Sequence, residues 1–354
     1  MRLAVLDYSP IDEGHTAVDA LATSTRLAKE AEALGYSRYW VSEHHGIPGF
    51  AGVSPEVVMA HLAANTSSIR IGSGGVMLPH YSSLKVAENY RSLDALNPGR
   101  IDLGFGRAPG ADPRVSAALN DEKAGTLPYP AKVADLVGFL TGDHVPGSDY
   151  AGIAASPIAT TIPIPWVLAA SGTTSALAGA FGLGFTFAHF INASGRGVAA
   201  ARQYRESFVP SAFLAQPAVI VAVFVAVGET EEEAAALSDA FHLWLTTAET
   251  ATPLDRVPSL EFAAAHQWTD HQLAVRERNA GRLVSGTAAQ VADQLRGLAE
   301  LYETDEVMIN PMVPEERNRR VALEGLAREF GLKPVDPGSH DRVWASANDP
   351  TGCS

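Results

Sequence analysis

The amino-acid sequence predicts an α/β fold, a (β/α)8 TIM barrel, and two observations support that prediction. Eight short apolar runs alternate with segments of helical periodicity along the 354 residues, as parallel strands joined by helices require. Several of these runs end in glycine or polar residues, at the point where the loops of such a barrel carry its chemistry. An open doubly wound sheet satisfies the same alternation, but the count of eight favours a closed barrel.

The predicted strands share a short apolar run bounded by charged or turn-forming residues. The clearest is the run of nine apolar residues that forms the seventh strand, which is typical of a strand buried on both faces. In chain order, the strands are predicted at Leu3–Leu6, Tyr39–Val41, Ile69–Ile71, Ile101–Leu103, Trp166–Leu168, Phe185–Phe187, Val219–Val227 and Val307–Ile309.

The predicted helices show apolar residues at helical spacing and recognisable ends. Gly35 closes the first helix, a proline stands in the first turn of the second, and Asn97-Pro98-Gly99 stops the third. In chain order, the helices are predicted at Thr16–Leu34, Pro55–Asn65, Leu84–Leu96, Lys132–Leu140, Thr174–Phe181, Val198–Phe208, Glu231–Thr247, Ala288–Leu301 and Arg317–Phe330.

The alternating pattern covers residues 1–332, which we interpret as a single barrel domain. Residues 248–286, after the seventh strand, are irregular and too long for a simple connection. They are predicted to form an insertion at the barrel mouth. Residues 333–354 are rich in Pro, Gly, Ser, Asn and Asp, and this composition predicts a C-terminal surface tail.

The charge and the cysteine content argue against several classes of partner and site. The formal net charge is −14 and no basic block occurs, which argues against a nucleic-acid partner and an anionic membrane surface. Cys353 is the only cysteine, so no intramolecular disulfide can form and a reducing compartment is indicated. No run approaches the ~18 apolar residues of a membrane span, and Asp7 interrupts the N-terminal apolar run. We therefore expect a soluble, cytoplasmic protein.

The second predicted strand ends in Ser42-Glu43-His44-His45-Gly46, the first candidate for chemistry. Histidine beside a carboxylate can donate or accept a proton near neutral pH, which makes Glu43, His44 and His45 candidate catalytic residues. A metal pair or a solvated loop is the alternative. Metal ligands are expected on one face, for example four residues apart on a helix, so adjacency does not favour a metal site and none is predicted.

Two further strands lead into glycine-rich segments. The third is followed by Gly72-Ser73-Gly74-Gly75, which permits a close approach of the backbone to a flat ligand, with a loose turn as the alternative. The fourth is followed by Gly104-Phe105-Gly106-Arg107, in which Arg107 is a candidate anion ligand. This spacing echoes a dinucleotide fingerprint, but such a motif must open a helix, and Pro109 and Pro113 follow at once.

The fifth strand leads into Ala169-Ala170-Ser171-Gly172-Thr173-Thr174-Ser175 and then an alanine-rich helix. Hydroxyls and free backbone N–H groups at the start of a helix can bind a phosphate. An ordinary Ser/Thr cap is the alternative, but the position after a barrel strand favours the functional interpretation. His189, after the sixth strand, is a weaker candidate that either faces the same site or packs in the barrel.

Taken together, these segments resemble the bacterial luciferase-like flavin monooxygenases, in family order over about residues 1–330. The likeness is most specific in the first third of the chain. The nearest branch comprises single-chain, homodimeric oxidoreductases, some of which tailor natural products. The segments that carry the resemblance are Tyr39-Trp40-Val41-Ser42-Glu43-His44-His45, Ser54-Pro55-Glu56, Ile69-Arg70-Ile71-Gly72-Ser73-Gly74-Gly75-Val76-Met77-Leu78-Pro79, Pro98-Gly99-Arg100-Ile101-Asp102-Leu103-Gly104, Gly106-Arg107, Gly286-Thr287 and Asp305-Glu306.

The resemblance implies a monooxygenase that uses O2 and reduced FMN, the latter supplied by a separate flavin reductase. Oxygen would add at flavin C4a, and the resulting C4a-peroxyflavin would oxidise a small organic substrate of apolar or aromatic character. His44 matches the family's catalytic histidine, and His45 flanks it. Gly74 and Gly75 match a segment along the isoalloxazine ring, for which we predict a cis Gly74–Gly75 peptide bond.

The remaining flavin-binding positions also follow from the resemblance, with two departures. Gly106 and Arg107 match a flavin-lining pair, while Ala170 stands where bacterial luciferase has a glutamate. A phosphate-contacting arginine expected near residues 125–132 is missing, and Lys132 is the candidate substitute. The phosphate loop of the family matches Ser171, Gly172, Thr173 and Thr174.

Two other functions stay open on the sequence. The same fold occurs in F420-dependent oxidoreductases, which pass a hydride without oxygen, and in flavin-binding proteins that have no catalytic activity. The Glu43–His44 pair argues against the second alternative, because storage of a flavin needs no proton chemistry.

Overall fold

The computed structural model of the protein describes residues 1–108, 111–120, 128–250 and 253–334. All eight predicted strands are present in these residues, together with two short additional strands, and every strand pairing is parallel. In chain order, the strands are β1 (Arg2–Asp7), β2 (Arg38–Val41), β3 (Arg70–Ser73), β4 (Val76–Met77), β5 (Ile101–Gly106), β6 (Ile164–Ala169), β7 (Gly184–Ala188), β8 (Val219–Gly228), β9 (Leu283–Thr287) and β10 (Glu306–Asn310).

The sheet closes on itself, which confirms the barrel and excludes the open doubly wound sheet. β10 pairs with β1, in the register Arg2↔Glu306 to Val5↔Ile309, and also pairs with β8. The closed circuit therefore runs β1, β2, β3, β5, β6, β7, β8, β10 and back to β1. β4 adds two residues beside β5, and β9 pairs with the second half of β8.

Helices separate the strands and begin and end where local side chains favour it. Thr16 accepts a hydrogen bond from the Asp19 N–H, and the Asp19 carboxylate accepts one from Thr16, so α1 starts with a capping box. None of the described helices is both long and apolar enough to span a bilayer. The helices are α1 (Ala17–Leu34), α2 (Pro55–Ala64), α3 (Ser83–Leu96), α4 (Pro113–Leu119), α5 (Tyr129–Thr141), α6 (Ser175–Ala180), α7 (Arg196–Glu206), α8 (Glu231–Glu249), α9 (Leu260–Ala265), α10 (Asp270–Asn279), α11 (Ala288–Tyr302) and α12 (Glu316–Phe330).

The expectation of an irregular segment at residues 248–286 is wrong for much of its length, since it contains α9, α10 and most of β9. Ser259 and Thr269 cap the two helices through their side chains. In α10 the only apolar residues are three in succession, Leu273 to Val275, so the spacing that predicts a helix is absent. Residues 335–354, most of the predicted tail, lie outside the described residues.

Large side chains fill the barrel interior opposite glycines. Trp40 and Trp166 are fully buried, and their ring centroids lie 5.7 Å apart. A Cβ on Gly72 would lie 2.4 Å from Trp40 Nε1, and a Cβ on Gly184 would lie 2.3 Å from the Trp166 ring. The two tryptophans therefore fit only because the neighbouring strands carry no side chain at these two positions.

A buried charge network lies below the tryptophans, at the amino-terminal end of the barrel. Arg38 bonds Asp102 at 2.6 Å and Glu306 at 2.8 Å, and Arg70 bonds Asp102 at 2.7 Å. Trp40 Nε1 donates to the same Asp102 carboxylate at 3.0 Å. Burial alone would raise the pKa of Asp102, but Arg38 and Arg70 together hold it below its usual value, so the carboxylate stays ionised.

We expect the substitution Asp102→Asn to lower the free energy of unfolding by about 3–5 kcal/mol, because it leaves the buried Arg38 and the partly buried Arg70 undercompensated with little change in side-chain volume. Urea denaturation followed by circular dichroism measures the change. Asp293→Asn is the matched control, since Asp293 pairs with Arg296 on the exposed surface and its loss should change stability by less than about 1 kcal/mol. Equal losses in the two variants would show that the network contributes nothing beyond a surface ion pair.

Candidate active site

The segments that the sequence singles out meet at the carboxyl end of the barrel. β2, β3, β5 and β6 are consecutive neighbours, with Val41 beside Ser73 and Gly106 beside Leu168. The histidine, double-glycine, Gly106 and phosphate-loop segments follow these four strands, so they form one continuous rim. Carboxyl ends of parallel strands are where barrel enzymes place their sites. We call this rim the candidate active site.

The Gly74–Gly75 peptide bond is cis, which confirms the prediction. A Cβ on Gly75 would lie 2.7 Å from the carbonyl oxygen of Gly104, and one on Gly74 would lie 2.5 Å from Leu6 Cδ1. The backbone oxygen of Gly104 cannot give way, so glycine is required at position 75, whereas a larger residue at position 74 would have to displace the Leu6 side chain. The backbone is held by the Gly74 N–H, which donates to Val41 O at 2.7 Å. These contacts leave a narrow wall of bare backbone at the rim.

His44 is packed between aromatic rings at the end of β2. Its ring centroid lies 4.7 Å from that of Tyr8 and 5.1 Å from that of Phe50. Burial lowers the pKa of His44 to about 4, and the charge of His45 contributes in the same direction. The His44 Nδ1 lies 3.0 Å from Ser42 Oγ. The imidazole is therefore neutral at physiological pH, with one nitrogen held by the protein.

A cluster of aromatic rings, which we call the aromatic cage, packs against His44 through Tyr8 and Phe50, and sequence reasoning did not find it. Tyr8 lies 6.0 Å from Phe224, Phe224 lies 4.7 Å from Phe190, and Phe50 lies 5.9 Å from Trp244. The hydroxyl of Tyr8 makes no hydrogen bond with any other described residue. The one available signal was the position of Tyr8 directly after β1. The aromatic cage comprises Tyr8, Phe50, Phe190, Phe224 and Trp244.

The structure separates Glu43 and His45 from His44. Glu43 accepts hydrogen bonds from the Met77 N–H at 3.1 Å and from the Tyr81 hydroxyl at 2.7 Å. His45 Nε2 lies 2.8 Å from the same carboxylate. Side chains alternate sides along an extended segment, so Glu43 and His45 lie on one side and His44 lies on the other. Glu43 and His45 therefore anchor the short β4 segment, and the predicted Glu43–His44 pair is not formed.

The predicted phosphate loop is open on its outer side. Its Gly172–Thr174 turn is a single turn of 3-10 helix, and neither Ser171 nor Thr174 caps it or α6 with a side-chain hydrogen bond. The ordinary-cap alternative is therefore wrong at these two positions. The Ser171 and Thr173 hydroxyls lie 3.1 Å apart. The Ala170 carbonyl accepts a hydrogen bond from Asn192 Nδ2 at 3.0 Å, which links this loop to the loop between β7 and α7.

The predicted charged residues differ in what they contact. Arg107 is exposed next to Gly106 and makes no hydrogen bond or ion pair with other described residues. Lys132 is engaged elsewhere, since its Nζ donates to Tyr81 O at 2.6 Å. Residues 121–127, which include part of the span where an arginine was expected, lie outside the described residues.

His189 packs against the end of helix α11. Its Nδ1 lies 3.1 Å from the hydroxyl of Tyr302, at the end of α11, and burial lowers its pKa. This contact holds the ring against α11, so the structure does not join His189 to the other predicted flavin residues. In the described part of the chain, no three His, Cys, Asp or Glu side chains stand together as a metal site would require.

A separate segment of the chain contacts the loops around His44. The Val257 N–H donates to Ile11 O at 3.0 Å, and the Glu13 N–H donates to Val257 O at 3.0 Å. The Ser259 N–H donates to the Glu13 carboxylate at 3.1 Å, and Arg256 reaches Pro48 O at the same distance. We call residues 253–259 the cover segment.

Comparison with known proteins identifies the family of this chain. The sequence model of the luciferase-like monooxygenase family matches residues 1–304. The chain belongs to the luciferase-like monooxygenase family. Among its relatives in this family, the uncharacterized protein YwcH of Bacillus subtilis is 44% identical over 87% of this chain and 93% of its own length. The N-acetyl-S-alkylcysteine monooxygenase of the same organism is 36% identical, covering 87% and 92%.

Several solved structures show the same barrel. Apo-MsnO8 matches with a TM-score of 0.85 at 34% identity, over 94% of this chain and 99% of that one. Two more distant structures show the fold alone. They are the oxygenating constituent of 3,6-diketocamphane monooxygenase from Pseudomonas putida in complex with FMN (TM-score 0.64, 16% identity, 94% and 98% covered) and an F420-dependent secondary alcohol dehydrogenase with an F420–acetone adduct (0.61, 14%, 95% and 99%).

We expect His44 to titrate with a midpoint near pH 4, because its surroundings disfavour the imidazolium form. Histidine-selective 15N NMR measures the midpoint, with His44→Gln to assign the resonance. The unfolded chain protonates this residue near pH 6.5, so its contribution to the free energy of unfolding is lost as pH falls from about 6.5 to 4. A midpoint at or above 6.5 would show that the ring is solvated.

Proposed function

We propose that this protein is a flavin-dependent monooxygenase that binds reduced FMN and uses O2 to oxidise a small organic substrate of apolar or aromatic character. One observation carries the proposal: the double-glycine wall, the open phosphate loop and the neutral His44 in its aromatic cage lie on one rim. A flavin has a flat ring, a ribityl chain and a phosphate, and this rim offers a complementary surface for each end of such a molecule.

The backbone wall fits the ring, and the loop fits the phosphate. Gly74, Gly75 and Gly106 would lie against the isoalloxazine, because a Cβ at either of the first two would collide with Leu6 or Gly104. Ser171 and Thr173 would donate hydroxyl hydrogen bonds to the phosphate, beside the uncapped Gly172 backbone. Arg107, exposed and unpaired among the described residues, would supply a positive charge.

When bound, reduced FMN supplies two electrons and the position at which O2 is activated. His44 would serve the reaction by holding a proton at Nε2. In the tautomer in which the Ser42 hydroxyl donates to Nδ1, which lies 3.0 Å away, the proton of the neutral ring is on Nε2. Tyr8 and Phe50 pack against the ring and would limit its contact with water, which strengthens its hydrogen bonds. The cover segment would close the same space from above.

The aromatic cage also indicates the kind of substrate. Its five large side chains offer apolar surface and no charge, so an alkyl or aryl group is the natural occupant. A relative 36% identical to this chain is named for N-acetyl-S-alkylcysteines, and an S-alkyl thioether combines an oxidisable atom with such a group. We propose N-acetyl-S-alkylcysteines as the first substrates to test, with natural-product tailoring as a wider role for the same cage.

A separate flavin reductase is proposed to supply the reduced cofactor in the cytoplasm. Gly104 and Gly106 belong to strand β5, so this segment does not open a helix as a dinucleotide fingerprint must. The described residues offer no other glycine-rich turn that opens a helix after a strand in that way. Reducing equivalents from a pyridine nucleotide would therefore be transferred on another protein.

We expect His44→Ala to lower kcat about 100-fold or more in a turnover assay with a flavin reductase, because a positioned proton donor is lost. FMN affinity, measured by titration, should stay within about twofold. His271→Ala is the control, since His271 is exposed on α10. Unchanged product formation by His44→Ala would remove the residue from the mechanism.

A parallel titration with F420 tests which cofactor the protein binds. A preference for F420 over FMN would overturn the FMN assignment.

The exposed face of α2 supports a homodimer, which we also propose. α2 is apolar on both sides except for Glu56 and His61. Val53, just before the helix, is 44% exposed, and Val57 within it is 67% exposed. A helix that is hydrophobic all round is usually buried, and the barrel covers only one side of this one. A second copy of the chain would bury the other side.

We expect Val57→Lys to convert the dimer into a monomer, because a buried charge would meet its own copy across a symmetric interface. Size-exclusion chromatography with light scattering measures the mass. Val18→Lys is the control, because Val18 is 77% exposed on α1 and should leave the mass unchanged. A wild-type protein that is already monomeric, or a variant that stays dimeric, would contradict this interface.

A further inference from the structure

Helix α7 lies directly against the loop that we assign to the flavin phosphate. A Cβ on Gly172 would lie 3.9 Å from both Ala200 Cβ and Gln203 Oε1. Gln203 also accepts a hydrogen bond from the Ser175 hydroxyl at 2.6 Å. One face of α7 therefore forms the side wall of the loop.

Arg196 stands on that same face, one turn nearer the barrel mouth. It precedes Ala200 by four residues and Gln203 by seven, the spacing that aligns side chains along one side of a helix. The connection before it is fixed to the rim, since Asn192 donates to the Ala170 carbonyl at 3.0 Å. Arg196 is exposed and makes no hydrogen bond or ion pair with another described residue.

A phosphate at this loop needs positive charge, and among the described residues Arg107 and Lys132 do not fully supply it. The chain carries a formal charge of −14, which repels an anionic ligand at long range unless local cations offset it. Lys132 is already bound to Tyr81 O. Arg107 follows β5, the strand on one side of β6, and Arg196 follows β7, the strand on its other side. The two guanidinium groups therefore flank the phosphate loop.

We propose that Arg196 is a phosphate ligand of the cofactor, acting from α7 opposite Arg107. The proposal rests on the flavin site of the preceding subsection and adds a second cation to the one that Arg107 supplies. The planar guanidinium can donate two hydrogen bonds to one phosphate. Its length spans the turn of helix that separates Arg196 from Ala200, which contacts the loop.

The experiment compares oxidised FMN with riboflavin, which lacks the phosphate, in equilibrium titrations of the full chain followed by flavin fluorescence. We expect Arg196→Ala to weaken FMN binding roughly 10- to 100-fold, the usual effect of losing a charged hydrogen bond. Riboflavin binding should not change. The preference of the wild-type protein for FMN over riboflavin should fall as salt rises, and Arg196→Ala should reduce that dependence.

Arg202→Ala is the matched control, because Arg202 is exposed on the same helix but six residues further, on another side, and should leave both affinities unchanged. Arg196→Lys should restore part of the FMN affinity. Equal weakening of FMN and riboflavin by Arg196→Ala, or no effect on either, would overturn the proposal while leaving the flavin site standing. A wild-type protein that binds neither flavin, in the oxidised or the reduced form, would overturn the proposed function itself.

Discussion

The rim of this barrel depends on a close backbone crossing between the end of β3 and the middle of β5. A Cβ on Gly104 would lie 1.9 Å from the carbonyl oxygen of Ser73, so no other residue could occupy that position. The Ser73 hydroxyl donates to the Gly104 carbonyl at 2.7 Å and fixes the crossing. Because of it, Gly74 and Gly75 lie flush with the barrel wall, and a planar ligand can approach bare backbone.

The chemistry of His44 follows from the same arrangement of strands. Its neighbours on either side turn away to hold β4, so the imidazole alone enters the aromatic cage, and burial there holds its pKa near 4. A solvated histidine would be partly charged at neutral pH and would offer protons from either nitrogen. The neutral ring, whose Nδ1 is hydrogen-bonded to Ser42, carries a single N–H proton instead. The cage therefore contributes to the protonation state of His44 as much as to substrate shape.

The sequence predicted those features whose cause is local. Gly74 and Gly75 were found because two adjacent glycines at the end of a buried strand indicate a close approach to the backbone. The barrel was found because eight short apolar runs alternate with segments of helical periodicity. The cage was missed because Phe50, Phe190 and Trp244 come from three distant segments and look like ordinary core residues in sequence. Glu43 and His44 were paired because they are adjacent, although alternation in extended chain sends adjacent side chains to opposite sides. Tertiary packing decides both cases.

The reaction that we propose places two opposing requirements on the cover segment. Oxidation needs water excluded, whereas the flavin must arrive from a reductase and leave again. Val257 is joined to the first loop by two backbone hydrogen bonds, and Ser259 and Arg256 add one each to the loops beneath. The contacts of Ser259 and Arg256 are exposed and open at lower free energy than the core strands do, whereas Val257 is buried and holds the middle of the segment. Since Phe50 lies beneath this segment, in the loop that Arg256 contacts, opening the cover would loosen the aromatic cage at the same time. Access and solvation of His44 would then change together, so the imidazole would be shielded only while the site is closed.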